Sequence, residues 1–174
     1  QLESSRGAVK ALMQVVQAAR SHDHSLVVPM QAPNSVLNQK ISRNRRFATQ
    51  QFKVERLKRV AKASHGTLND VVLALCAGAL RRFLQEQDGL PTEPLTAMLP
   101  VNIRPKDDPG GGNAVGAILA SLATDITDPI ERINTIIGST TRAKEQLQGM
   151  SKSTILQFTS MLMAPMLLSQ IPGA

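Results

Sequence analysis

Tryptophan and tyrosine are absent from the 174 residues, and only four phenylalanines occur, scattered along the chain. A surface that holds single-stranded nucleic acid by stacking bases would lack its platforms. The single cysteine, Cys76, excludes an intrachain disulfide and fits a reducing compartment. The longest apolar run, Val71–Leu80, is interrupted only by Gly78. It is about ten residues long, whereas a bilayer span needs about 18 or more. Gln1–Arg20 shows no secretory signal pattern and reads as an amphipathic helix with Leu12, Val15, Val16 and Ala19 on one side.

Catalytic signatures are equally scarce. No Gly-x-Ser-x-Gly elbow occurs, and Gly110-Gly111-Gly112 lacks the Lys-Ser/Thr that completes a phosphate loop. His22-Asp23-His24 resembles a metal clip but offers two ligands with no third nearby, so surface histidines are the simpler reading. His65 closes a basic helix, where a positive charge suits the helix dipole. Cys76 is embedded in apolar helix, where thiolate formation is disfavoured. On its residues alone the chain is scaffold and binding surface, without an acid–base centre or metal site of its own.

What the chain does have is a concentrated positive charge. The formal net charge is +7. Between Lys40 and Lys62 stand Lys40, Arg43, Arg45, Arg46, Lys53, Arg56, Lys58, Arg59 and Lys62, opposed by Glu55 alone. The remaining residues are nearly balanced. That stretch either is a solvated cationic face or meets an anion: the phosphates of a ligand, the headgroups of a membrane or nucleic acid, the last disfavoured by the missing aromatics, so that no nucleic-acid partner is expected.

Helical spacing at Val54, Leu57, Val60 and Ala61 predicts a helix from Lys53 to Ser64, with Gly66 in the left-handed position that ends it. Arg46–Phe52, just before, can extend as a strand. Thr67 with Asp70 matches a capping box, and the helix it opens runs to about Gln87, before Asp88-Gly89 and Pro91. Being apolar on every side for nearly three turns, this helix is expected to be a buried core element. Pro94–Ile103 and Asn113–Thr124 read as strands joined by a charged, glycine-rich loop. Asp128-Pro129 starts a helix to about Gln148 with Ile133, Ile136, Ile137 and Ala143 as its apolar positions. A Met-rich helix follows from Ser151 or Ser153, its soft side chains suited to core packing or to an acyl-chain or partner surface. The loose alternation of strands and helices indicates a mixed α/β (α+β) fold. The start at Gln1 and the ending Ile171-Pro172-Gly173-Ala174 suggest an internal piece of a longer protein.

Four residues are candidates for substrate contact. Asn69 and Asp70 are explained by helix capping, worth about 1 kcal/mol. The same helix start, with its free N–H groups, could also face an anion or developing oxyanion. Arg104, after the first strand, could hold a phosphate or pair with Asp107 or Asp108. Asn113, after the glycines, is either a turn residue or a ligand contact.

The run Asn69-Asp70-Val71-Val72-Leu73-Ala74-Leu75-Cys76-Ala77-Gly78-Ala79-Leu80-Arg81-Arg82-Phe83-Leu84 resembles the Asn-Asp motif helix of bacterial wax ester synthase/diacylglycerol acyltransferases. Met98–Arg104 is similar to that family's next strand, with its Pro-Val-Ser/Asn-x-Arg core, and Gly112–Leu119 resembles the Gly-Asn strand that follows. Order and spacing agree from about Leu37 to Gly149.

The resemblance implies a CoA-dependent acyltransferase fold like that of chloramphenicol acetyltransferase, two α/β lobes with a tunnel between them. Residues 1–38 would then be the interlobe helix and connector, and 39–174 part of the C-terminal lobe. It further implies transfer of a fatty acyl group from acyl-CoA, as substrate rather than cofactor, to a long-chain alcohol or diacylglycerol. The general base would be a histidine of a His-His-x-x-x-Asp-Gly motif. None of His22, His24 and His65 sits in such a motif, so the resemblance implies no catalytic residue here and a partner N-terminal lobe that supplies it. Ser-Asn-x-Pro-Gly-Pro, expected further downstream, is also missing. Asn69, Asp70, Arg104 and Asn113 would shape the substrate site. The basic stretch would meet CoA phosphates or the surface of a membrane or lipid droplet, placing the protein in the cytoplasm and peripherally on such a surface. Two rival readings are a non-catalytic membrane-docking module and a condensation-type enzyme of the same fold that uses an acyl carrier.

Overall fold

A computed structural model describes residues 27, 32–104, 115–148, 150, 151 and 153–160. After a short 3-10 turn at Val36–Asn38 come α1 (Val54–Ala63), α2 (Leu68–Glu86), β1 (Thr96–Asn102), β2 (Val115–Ser121) and α3 (Pro129–Leu147). Residues 153–160 are helical as well. The helices expected from Lys53, from Thr67 and from Asp128, and the strands expected in Pro94–Ile103 and Asn113–Thr124, are present. Arg46–Phe52 is not a strand: it lies exposed with no regular structure, because the described residues offer it no neighbouring strand. The tail of the Met-rich segment, the Gly110–Gly112 loop, Gln1–Arg20 and His22–His24 lie outside the described residues.

The backbone divides into two contact units. The first contains residues 32–95 and 121–138. Its core is Ala61 of α1, Val71 of α2 and Ile133 of α3, with Leu57, Ala74 and Ile137 packed around them. Each helix contributes residues three or four apart, the spacing that forms one face. Val54 and Val60, also expected inward, are exposed, because α1 turns only Leu57 and Ala61 to its neighbours.

The junction of α1 and α2 is a tight left-handed turn. The Gly66 N–H donates to Ala61 O at 2.9 Å and the His65 N–H to Lys62 O at 3.3 Å, the paired closing bonds of a Schellman motif. The left-handed residue is His65, at φ 55°, and not Gly66 as the sequence suggests. Gly66 is needed for space instead: a Cβ there would stand 2.6 Å from Cδ1 of Ile137. The end of α2 repeats the device with Asp88 at φ 50° and the Gly89 N–H donating to Leu84 O at 2.9 Å.

Two buried arginines organise the turn after β2. Arg81 Nη1 donates to the carbonyls of Thr124 (2.6 Å) and Asp125 (3.0 Å), and Nη2 donates to Thr127 Oγ1 (2.8 Å). Arg132 donates through Nε to Ile126 O (3.0 Å) and through Nη2 to Thr127 O (2.8 Å). Four successive carbonyls are thereby satisfied by two guanidinium groups whose fork geometry spans several acceptors. Gly78 leaves room for this, since a Cβ would lie 3.2 Å from Arg132 Nη1. The same turn holds Ala123 buried at φ 46°, a conformation that costs a non-glycine residue about 1–2 kcal/mol. Thr124, also buried, receives the Leu95 N–H at its hydroxyl, while Leu95 O accepts from Leu122.

The second unit is built from residues 96–120 and the chain from 139 onward, so far as these are described. Gly116 of β2 faces Val101 and Ile103 at the far end of β1, so the two strands run antiparallel. β2 is buried along most of its length, whereas β1 alternates half-buried and exposed residues and carries Pro100 on its exposed side, as befits an edge strand. Ile118, Ala143, Leu147 and Ile155 form the core, with Leu99, Val101, Ile103, Met150 and Phe158 against it. The helical stretch 153–160 engages β2 directly: the Ala117 N–H donates to Thr159 Oγ1 at 3.2 Å.

Two measurements check this packing. In urea unfolding, Gly66→Ala is expected to lose about 1 kcal/mol by crowding Ile137, while His65→Gly gains about 0.5–1 kcal/mol by relieving the left-handed residue. Arg81→Met is expected to lose about 2–3 kcal/mol, because the buried carbonyl of Thr124 is left unpaired and the part-buried bonds to Asp125 and Thr127 are lost, and Arg81→Lys to restore little of it.

Candidate functional site

The N-terminus of α2 is fixed by reciprocal bonding. Asp70 Oδ2 accepts from the Thr67 N–H at 2.8 Å and from Thr67 Oγ1 at 2.6 Å, and the Asp70 N–H donates back to Thr67 Oγ1 at 3.3 Å. The expected capping box is thus present. Asp70 is only 2 % exposed and caps the helix start, where negative charge also suits the dipole.

Asn69 differs. It is exposed, and its side chain makes no hydrogen bond among the described residues. One and two turns along the same side of α2 follow Val72 and Cys76, then Ala79 and Phe83, at the three- and four-residue intervals that keep side chains on one face. Leu68, Val72, Leu75 and Phe83 are each 40–45 % exposed. The expectation of a helix buried on every side is therefore corrected. Val71, Leu73, Ala77 and Leu84 are buried, and the opposite stripe is open. Cys76 lies on the open stripe and is exposed, contrary to its expected burial. A helix apolar all round carries no periodicity from which to read which side is covered.

The stripe from Asn69 to Phe83 extends for about 21 Å at 1.5 Å per residue. It presents an amide at one end and uncharged, apolar side chains thereafter. Such a surface suits a ligand with a polar head and a long hydrocarbon tail.

Arg104, the third candidate, is half-buried beyond β1, and its N–H donates to Asn102 Oδ1 at 3.0 Å. It belongs to the second unit, whereas Asn69 and Asp70 belong to the first. Asn113, Asp107 and Asp108 lie outside the described residues. Among the described residues no cluster of three or more His, Cys, Asp or Glu side chains could hold a metal ion. His65 is exposed and serves as the left-handed closing residue of α1. Sequence reasoning missed Arg81 and Arg132. The only signal was a cation on an otherwise apolar helix, and its neighbour Arg82, which pairs with Glu86 at 2.9 Å on the surface, disguised it.

Comparison with known proteins sets this geometry in context. The wax ester synthase/diacylglycerol acyltransferase catalytic domain matches residues 1–72, a stretch that includes Asn69 and Asp70. The C-terminal domain of the same family matches residues 111–173. A Mycobacterium tuberculosis protein named as a diacylglycerol O-acyltransferase is 48 % identical over 165 residues, 93 % of this chain and 33 % of that protein. The O-acyltransferase WSD of Acinetobacter baylyi is 40 % identical over 175 residues, 99 % of this chain and 38 % of that protein. Among solved structures, the wax ester synthase/diacylglycerol acyltransferase from Marinobacter aquaeolei VT8 superposes with a TM-score of 0.70 at 35 % identity, covering 98 % of this chain and 35 % of that one. The chain thus spans about a third of the length of these relatives, and its mixed α/β architecture is part of a CoA-dependent acyltransferase fold. Two domain matches in sequence order, and a solved relative with the same fold, lead to one conclusion: this chain belongs to the wax ester synthase/diacylglycerol acyltransferase family.

Proposed function

We propose that this chain is part of an O-acyltransferase that moves a fatty acyl group from acyl-CoA to a long-chain alcohol or diacylglycerol, making wax ester or triacylglycerol. Kinship with proteins named for that activity supports the reading. So does one observation from the site: an exposed asparagine amide, with no hydrogen-bond partner among the described residues, heads an open apolar stripe on α2.

In this reading the stripe is wall for a hydrocarbon chain, and Asn69 orients the polar group at the reacting end. The hydroxyl of the acceptor attacks the thioester carbonyl and loses its proton to a histidine supplied from outside this chain, with the CoA thiolate leaving. Asp70 acts only through the helix it caps. Acceptors of this kind dissolve in membranes or lipid droplets, so the enzyme works at such a surface. No helix among the described residues is long and apolar enough to cross a membrane, which is compatible with peripheral attachment.

Substitution separates the two neighbours. In the intact protein Asn69→Ala is expected to lower kcat about tenfold or more, the equivalent of about 1.4 kcal/mol, with its melting curve nearly unchanged. Asp70→Ala is expected to lower stability by about 1–2 kcal/mol. An Asn69→Ala enzyme with wild-type turnover would remove the role assigned to this amide.

A further inference from the structure

Arg81 joins α2 to a distant part of the chain. Its hydrogen bonds reach Thr124, Asp125 and Thr127, which lie 43, 44 and 46 residues further on and in the same contact unit. Arg132 differs. Its bonds to the carbonyls of Ile126 and Thr127 span six and five residues and close the turn locally. Arg81 stands eleven residues after Asp70, about three helical turns, so the two buried polar residues share one side of α2. The capping box fixes where the helix starts, and Arg81 fixes where its last turns lie.

This anchorage is costlier than stability requires. Arg81 and Arg132 are 9 % and 8 % exposed, and neither pairs with a carboxylate among the described residues. A buried cation without a counter-charge is unfavourable, and a well-packed apolar residue in its place is often as stable or more so. The turn that Arg81 holds also keeps Ala123 buried at φ 46°. Strain of this kind persists where the surroundings over-determine the backbone, and it gathers where an accurate geometry serves function. An arrangement that accepts both penalties is suited to setting a position.

We propose that Arg81 is a positioning residue that sets the acyl-chain preference of the enzyme. It fixes the rotation and height of α2, and through them the placement of the far end of the hydrocarbon wall. The inference rests on the acyltransferase reading, with α2 as that wall. Arg81 acts through the helix and not by contact with the chain: it lies on the covered side with Ala77 and Leu84. Ala79 and Phe83, the last residues of the stripe, stand two positions before and after it. Asn69 begins the stripe at the reacting end, about three turns away. Loss of the clamp therefore displaces the part of the wall that only a long chain reaches.

The test compares wild type, R81K, A123G and R81K/A123G as intact proteins, with palmitoyl-CoA or butyryl-CoA as donor and one alcohol as acceptor. The readout is the ratio of kcat/KM for the two donors, taken below the melting temperature of every variant. Partial unfolding lowers both values alike, so a stability defect alone does not move this ratio. R81K is expected to lower the palmitoyl-to-butyryl ratio about tenfold, chiefly through a raised KM for palmitoyl-CoA. A123G removes the strained residue and is expected to raise the melting temperature by a few degrees with the ratio unchanged. R81K/A123G should recover melting temperature yet keep the lowered ratio, and it carries the comparison if R81K alone does not fold.

A ratio within about twofold of wild type in R81K, or in the double variant, would overturn the proposal. Wild type that transfers neither acyl group would refute the acyltransferase reading, and this role with it. Wild type that transfers both, with a donor preference that R81K retains, would leave that reading standing and remove only the role of Arg81.

Discussion

The reciprocal bonds between Thr67 and Asp70 are the constraint on which the candidate site depends. They fix where α2 begins, and so fix the side of the helix on which every later residue falls. Because Asp70 is buried as the third residue of the helix, Asn69 must face outward one position earlier. The polar pair that looks like one motif in sequence is thus divided by geometry into a structural half and an exposed half. The stripe of Val72, Cys76, Ala79 and Phe83 follows from the same phase, and the buried side supplies Val71 to the core shared with Ala61 and Ile133.

The remainder of the first unit keeps α2 in place. At one end Gly66 lets the α1–α2 turn close onto Ile137, and His65 bears the left-handed backbone. Toward the other end Arg81 reaches across to the turn after β2, where it and Arg132 bond four successive carbonyls, that of Thr124 buried and the others part-buried. Hydrogen bonds from a charged donor contribute about 1.5–3 kcal/mol each. This clamp therefore outweighs the strain at Ala123 and makes a rigid base for an exposed helix face.

Much of this was legible from residues. The capping box, the proline after Asp128 and the glycine after Asp88 are local chemical signals, and α2, α3 and both strands are found where those signals lie. Three features were not legible, each for a physical reason. The open side of α2 has no signature, because a helix apolar on both faces gives no phase. The partners of Arg81 lie more than forty residues away in sequence, so no local pattern announces them. Arg46–Phe52 has the composition of a strand, but a strand needs a neighbour, and among the described residues it has none. Of the four candidate contacts, Asp70 caps α2, Asn69 is exposed, Arg104 belongs to the other unit and Asn113 lies outside the described residues.

Cys76 offers a direct probe of the proposal that the α2 stripe carries a hydrocarbon chain, since its thiol is exposed in the middle of that stripe. The measurement is the rate at which a maleimide labels Cys76 in the intact protein, followed by mass spectrometry of its peptide, without donor and with saturating acetyl-CoA or palmitoyl-CoA. The account predicts labelling about tenfold slower with the long-chain donor and unchanged with acetyl-CoA. A rate indifferent to the length of the acyl chain would contradict it.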